Sequence, residues 1–256
     1  MQTYLIAALG ELPFARQHCP SLACAAYHIG AGSSLLRQNA LLTVPPGGVL
    51  CVSDQNAPFI DDPDTLCAAA VRECSRRAYD GVLLNFTQPP TQDRLTFAAR
   101  LARILRSEQR RLYLPESYGV SIPDAAILLD TALSGGSLTE HLQEAAARWG
   151  THRLALDVSR VRMQFPLPCP SGVGTSLSEE VFQALMAQEA PAVFFSPELC
   201  ARYFTYVSSG ATRFVLFDDA DTLKEKLRLG QQFGISAAFF RWAEIADLAD
   251  ALFPQT

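Results

Sequence analysis

The sequence lacks the short signatures that mark most nucleotide, cofactor and metal chemistry. It has no G-x-G-x-x-G and no G-x-x-x-x-G-K-[ST], so it offers no glycine-rich cradle for a dinucleotide or a nucleoside triphosphate. Its four histidines, His18, His28, His141 and His152, fall in no H-E-x-x-H pattern, and no C-x-x-C joins any of its cysteines. No serine sits in a G-x-S-x-G elbow. Neither a metal nor a cofactor is expected.

Basic stretches and long apolar runs are missing as well. Lys and Arg total 21 against 26 Asp and Glu, a formal net charge of -5, and the basic residues are scattered. That pattern argues against a nucleic-acid partner or an anionic membrane surface. The first apolar run, Leu5 to Leu9, is too short for a secretory core and far short of the roughly 20 residues that span a bilayer. The expectation is a soluble, cytoplasmic protein. Seven cysteines at irregular spacing, including Cys51, Cys67 and Cys74 within apolar segments, read as reduced thiols used as small hydrophobes.

What the chain does have is alternation. Half of it is hydrophobic (49%), enough for a substantial core, and the 256 residues read as one domain spanning 1–256. Short apolar runs at Tyr4 to Leu9, Gly48 to Ser53, Gly81 to Phe86, Arg111 to Pro115, Ala125 to Asp130, Arg153 to Val158, Arg213 to Phe217 and Ser236 to Phe240 are separated by helical patterns. Asp62-Pro63 opens one helix, and Ser137 with Glu140 and Ser176 with Glu179 form capping boxes for two others. Eight strands and this length match an α/β protein of the (β/α)8 TIM-barrel type. Two regions fit less well: Ser21 to Val44 carries extra strand-like runs (LACAAYHIG and ALLTV), and Val193 to Tyr206 reads as a small β insertion before the seventh strand.

The run YDGVLLNFT, Tyr79 to Thr87, resembles the D-G-x-D-x-D-x-E strand of family 18 glycoside hydrolases, including their spore-associated and chitinase-like members. The stretch Ser209 to Trp242 is similar to the closing part of the same family: paired Asp218-Asp219, a helix bearing Lys224 and Lys226, Gly234, and a last strand ending in Trp242. The likeness covers about two thirds of the chain. It implies a barrel whose C-terminal face takes a glycan, with Trp242 as an apolar floor beneath a sugar ring.

The same comparison implies a loss. Asp80 and Gly81 are kept, but Leu83 and Asn85 stand where the motif has acids, and Thr87 stands where it has the catalytic Glu. The family uses the substrate's own acetamido group as nucleophile and one carboxylic acid as proton donor. A hydroxyl cannot take over that donor role, and losing a general acid costs on the order of 10²–10⁴ in rate. The family's Met-x-Tyr-Asp element maps onto Leu129, Thr131 and Ala132, with Asp130 as the surviving acid if the frame moves by one.

Three readings follow. The first is a catalytically impaired barrel, a pseudoenzyme that binds a carbohydrate or protein ligand through Asn85, Thr87, Glu116 and Trp242. The second is an active glycoside hydrolase with a relocated acid, Glu116 working with Asp218 or Asp130. The third is a structural barrel with a closed cleft.

Overall fold

In the computed structural model, residues 1–38, 44, 46–55, 57 and 59–254 are described. Eight parallel strands form a ring: Gln2–Ala7, Leu22–Ile29, Val49–Ser53, Gly81–Asn85, Arg111–Pro115, Ala126–Asp130, Leu154–Asp157 and Ala237–Arg241. Each pairs with the next in chain order, and the first pairs with both the second and the eighth, which closes the barrel. Helices Pro63–Arg77, Gln92–Ser107, Leu138–Trp149 and Ala220–Gln232 lie in the connections. Between the fifth and sixth strands there is only a turn of 3₁₀ helix, Glu116–Tyr118.

Strands buried on both faces read as continuous apolar runs, which is why the chain offers segments such as VLCVS and GVLLN. The pleat then sorts each run. Outward residues, among them Leu50, Val52, Val82, Leu84, Leu112 and Leu114, join helix residues such as Leu66, Phe97, Leu101 and Leu223 in the outer core. Inward residues Tyr4, Ile6, Val49, Cys51, Leu83, Tyr113 and Phe239 fill the ring. Phe239 stacks on Tyr4 at 4.9 Å between centroids and meets Tyr113 edge-on at 4.8 Å, so the lower barrel is plugged by aromatic rings. Gly81 is required where it stands: a Cβ there would lie 2.4 Å from the carbonyl oxygen of Arg111 on the neighbouring strand.

The structure corrects the strand assignment. Leu22–Ile29, within LACAAYHIG, is the second barrel strand, so the motif strand Gly81–Asn85 is the fourth rather than the third. Arg213–Phe217 is not a barrel strand. It belongs to a separate five-stranded antiparallel sheet, which also holds Arg162–Leu167, Thr175–Ser176, Phe194–Ser196 and Ala201–Ser208. The insertion is therefore larger than expected and enters between the seventh and eighth strands. Its helix, Glu179–Glu189, is capped by Ser178, whose hydroxyl accepts from the Val181 amide, rather than by Ser176. Of the ALLTV run only Val44 lies among the described residues, and it is buried.

One face of the inserted sheet packs on that helix through Phe182, Phe204, Val215 and Phe217. The opposite face carries Phe165, Leu216, Tyr203 and Phe214 and meets Ala132, in the loop after the sixth strand. The insert is fastened where it leaves and rejoins the barrel. The Asp218 carboxylate accepts from the Val161 amide at 2.8 Å, the Thr222 hydroxyl at 2.8 Å and the Lys226 ammonium at 2.7 Å, and both charged side chains are fully buried.

Removing one partner of a buried ion pair strands the other's charge, at a cost of about 3 kcal/mol. Lys226→Met is expected to lower unfolding stability by about that amount in urea denaturation. A loss within the range of a surface substitution would mean that the pair does not hold the insert.

Candidate functional site

A cavity of about 320 Å³ lies at the C-terminal ends of the fourth to eighth strands, walled by Asn85, Thr87, Glu116, Asp130, Asp157 and Arg241 together with Pro115, Leu128, Leu133 and His141. Period-two alternation along the fourth strand sets the motif residues. Val82, Leu84 and Phe86 pack outward, so Leu83 joins the inner plug while Asn85 and Thr87 reach the mouth above it. Asp80 lies at the other end of this strand, where its carbonyl accepts from the Arg111 amide, and it lines a groove on the opposite face of the barrel. It is not a mouth residue.

Thr87 is held by an acid at the end of the third strand. The Asp54 carboxylate, fully buried, accepts from the Thr87 amide at 2.9 Å, the Thr87 hydroxyl at 3.4 Å and the Gln88 amide at 3.3 Å. Its charge is met by Arg94, also buried, at 3.0 Å, and Arg94 donates further to Ala57 and Thr91. The loop that carries Thr87 is therefore fixed from behind by an ion pair, and the Asp54 charge is met within the protein rather than directed into the cavity.

Three acids remain at the mouth. Asp157 is bound by Arg241 through two hydrogen bonds of 2.7 and 2.8 Å, and Arg241 also donates to Ser159. Burial acts to lower the Arg241 pKa, but the Asp157 carboxylate outweighs it and holds the guanidinium above its ordinary value. Glu116 is half-buried; it accepts from the Trp149 indole at 3.4 Å and lies 3.9 Å from Arg148. Asp130 is exposed, accepts from the Ala132 amide at 2.9 Å, and has no ion-pair partner among the described residues. Glu116 and Asp130 thus share a cavity. Asp218 does not join them, because its oxygens are committed to Val161, Thr222 and Lys226.

Two further expectations change. Trp242 does not floor the mouth: Phe239 and Arg241 face inward, so the intervening pleat turns Phe240 and Trp242 outward. The Trp242 ring is buried in the outer core, 5.4 Å from the His18 ring, and Arg241 holds the inward place at the strand end. On the sixth strand, Leu128 and Asp130 face the cavity, whereas Leu129 packs outward and Thr131 is buried with its amide and hydroxyl on the Asp157 carbonyl. Asp130 is therefore the inward acid at this strand's end. His141, which belongs to no metal-binding pattern, lines the mouth because the helix Leu138–Trp149 begins beside it.

No thiol serves the site. All seven cysteines are free and six are buried. Burial pushes Cys51, which faces the barrel interior, up to about 12, and it does the same to Cys67 and Cys74. Among the described residues, no cluster of acids, histidines and cysteines could hold a metal ion, and no helix is long and apolar enough to cross a membrane.

No protein-family model matches the chain, and no curated protein matches it. Solved structures do. The spore cortex-lytic enzyme SleL of Bacillus cereus superposes with a TM-score of 0.69 at 13% identity, over 100% of this chain and 75% of that one. A chitinase from Chromobacterium violaceum gives 0.68 at 14% identity, over 100% and 99%. A GH18 chitinase of Cycas revoluta in complex with (GlcNAc)4 gives 0.65 at 11% identity, over 99% and 98%. The fold is that of family 18 glycoside hydrolases. Within this family 18-like barrel, Leu83 and Asn85 are inward positions of the fourth strand, and Thr87 follows in the loop after it.

Asp54→Ala should free the Thr87 loop and leave Arg94 without its main counter-charge, with a loss of about 3 kcal/mol and faster hydrogen exchange at the Thr87 and Gln88 amides. Unchanged exchange there would mean that the carboxylate does not fix the loop. The thiols provide a second check. A pKa of about 12 leaves roughly one thiolate in ten thousand at pH 8 for Cys51, Cys67 and Cys74, and burial also raises Cys19, Cys24 and Cys200 and shields them, so an aromatic disulfide reagent should label Cys169 of the native protein rapidly and the other six only on unfolding.

Proposed function

We propose that this barrel binds a neutral N-acetylhexosamine-type glycan at its C-terminal mouth without hydrolysing it. The observation that carries the reading is the inward row of the fourth strand. Leu83 lies in the apolar plug, Asn85 is neutral, and Thr87 occupies the place of the proton donor with its amide and hydroxyl tied to Asp54. A hydroxyl can hydrogen-bond a sugar but cannot protonate a leaving oxygen, and an apolar residue cannot orient an acetamido group for attack.

The rest of the mouth supports binding. It is concave, and it presents an amide, a hydroxyl, carboxylates and a guanidinium, the mixture of donors and acceptors that sugar hydroxyls use. The inserted sheet adds a row of rings, Phe194 at 5.6 Å from Tyr203 and Tyr203 at 5.4 Å from Phe214, on the face that meets the loop after the sixth strand. Apolar ring faces suit the C–H faces of pyranoses. The related Cycas revoluta chitinase fold was solved with (GlcNAc)4 bound, which makes that oligosaccharide the first ligand to test.

A second reading keeps a hydrolase, and one observation favours it: Glu116 and Asp130 line the same cavity, which would allow one to act as acid and the other as base. Its signature is distinct, because Glu116→Gln or Asp130→Asn would then abolish turnover.

Isothermal titration of the protein with (GlcNAc)4 tests the proposal. The expected result is saturable binding that weakens about tenfold or more in Asn85→Ala, the scale of one or two lost hydrogen bonds. Thr87→Glu alone should bring no turnover, since Leu83 still lacks the carboxylate. Absence of binding would favour the structural barrel, and shortened products would favour the hydrolase.

A further inference from the structure

The end of the barrel away from the mouth holds a second cavity, of about 390 Å³, where the fifth and sixth strands begin. Its walls carry Arg106, Arg110, Arg111, His152 and Arg153 against a single acid, Asp124. This concentration of positive charge is unusual for a chain with a net charge of -5.

Two of these arginines are already neutralised. Arg106 pairs with Asp124, and Arg110 pairs with Glu108. The other two are not: among the described residues, no carboxylate lies within ion-pair distance of Arg111 or Arg153. Arg111 projects from the first residue of the fifth strand and donates to the Ser236 hydroxyl at 3.2 Å. Arg153 is anchored by the carbonyls of Ala125, Gly119 and Ile122 at 3.1, 3.2 and 2.9 Å, and its guanidinium lies 5.6 Å from the centre of the Trp149 ring. Carbonyl dipoles orient a guanidinium without cancelling its charge. Burial lowers the Arg153 pKa while Asp124 opposes it, as expected for a cation short of counter-charge.

We infer that this cavity is a binding site for a compact phosphoryl-bearing polyanion, with Arg111 and Arg153 as its two charged contacts. The preference for phosphoryl oxygens rests on the Arg111 guanidinium, whose fork matches a tetrahedral oxyanion through paired N–H donors, while Arg153, with Nε and Nη2 held by the carbonyls, adds its charge and its Nη1 donors. A ligand with two adjoining phosphoryl groups can address both arginines at once. Asp124, held by Arg106 at the rim, disfavours larger acidic surfaces and leaves the pocket to a small ion. The site shares no residue with the mouth and does not depend on the glycan reading.

The test uses the full chain and inorganic pyrophosphate, followed by amide chemical-shift changes at constant ionic strength. The expected result is saturable shifts confined to residues 106–112, 123–126 and 150–153. Affinity should fall about tenfold or more in Arg111→Ala and in Arg111→Glu, because one of two charged contacts is lost. Arg111 is exposed, so these variants are expected to fold, and an unchanged melting curve without ligand confirms it; Arg111→Lys should retain part of the affinity. Shifts that fail to saturate, that scatter over the surface, or that are unaltered in Arg111→Glu would overturn the proposal.

Discussion

The pleat of a closed sheet governs this molecule. Once eight strands close into a ring, each residue faces either the interior or the helices, and a displacement of one position moves a side chain from one environment to the other. Tyr4, Leu83, Tyr113 and Phe239 face inward and pack into the plug that gives the barrel its lower core. The residues above them on the same rows, Asn85, Asp157 and Arg241, become the floor and walls of the mouth. The mouth's chemistry thus follows from the same alternation that builds the core.

Around that frame, buried charge acts mainly as fastening. Asp54 with Arg94 fixes the loop after the fourth strand, and Asp218 with Lys226 ties the chain where the inserted sheet leaves and returns. Buried pairs of this kind contribute little net stability compared with a well-packed apolar substitute, but breaking one is costly, so they specify an arrangement. Asp157 with Arg241 does similar work at the mouth, where it cancels two charges that would otherwise face a ligand. Glu116 and Asp130 are the other acids that line this cavity.

Much of the barrel was legible in the sequence, because apolar runs alternating with capped helices carry a strong signal. Asp62 and Ser137 cap their helices as expected. The count of eight strands held while two of its members changed places. Leu22–Ile29 is alanine-rich and followed by no helical pattern, which hid a barrel strand, whereas Arg213–Phe217 has the composition of one but pairs antiparallel with its neighbours. Pairing partners leave no trace in a single strand's composition.

The site was legible where it depended on alternation from a fixed point. Counting by twos from Gly81 places Leu83, Asn85 and Thr87 on one face. Trp242 was misjudged because its position at a strand end was weighed without its parity, and the same count applied from Phe239 selects Arg241. Asp218 looked available because its partners, Val161 and Lys226, lie far away in sequence or on the following helix. His141 was passed over because nothing in its own helix reveals which strand ends that helix stands beside.

The central claim is that the mouth holds a glycan and does not cut it, and a proton NMR titration of (GlcNAc)4 against the protein addresses both halves in one sample. The account predicts saturation transfer from protein to sugar, with no new reducing-end anomeric signals on long incubation. New anomeric signals that vanish in Glu116→Gln would contradict it, and so would the absence of any transfer.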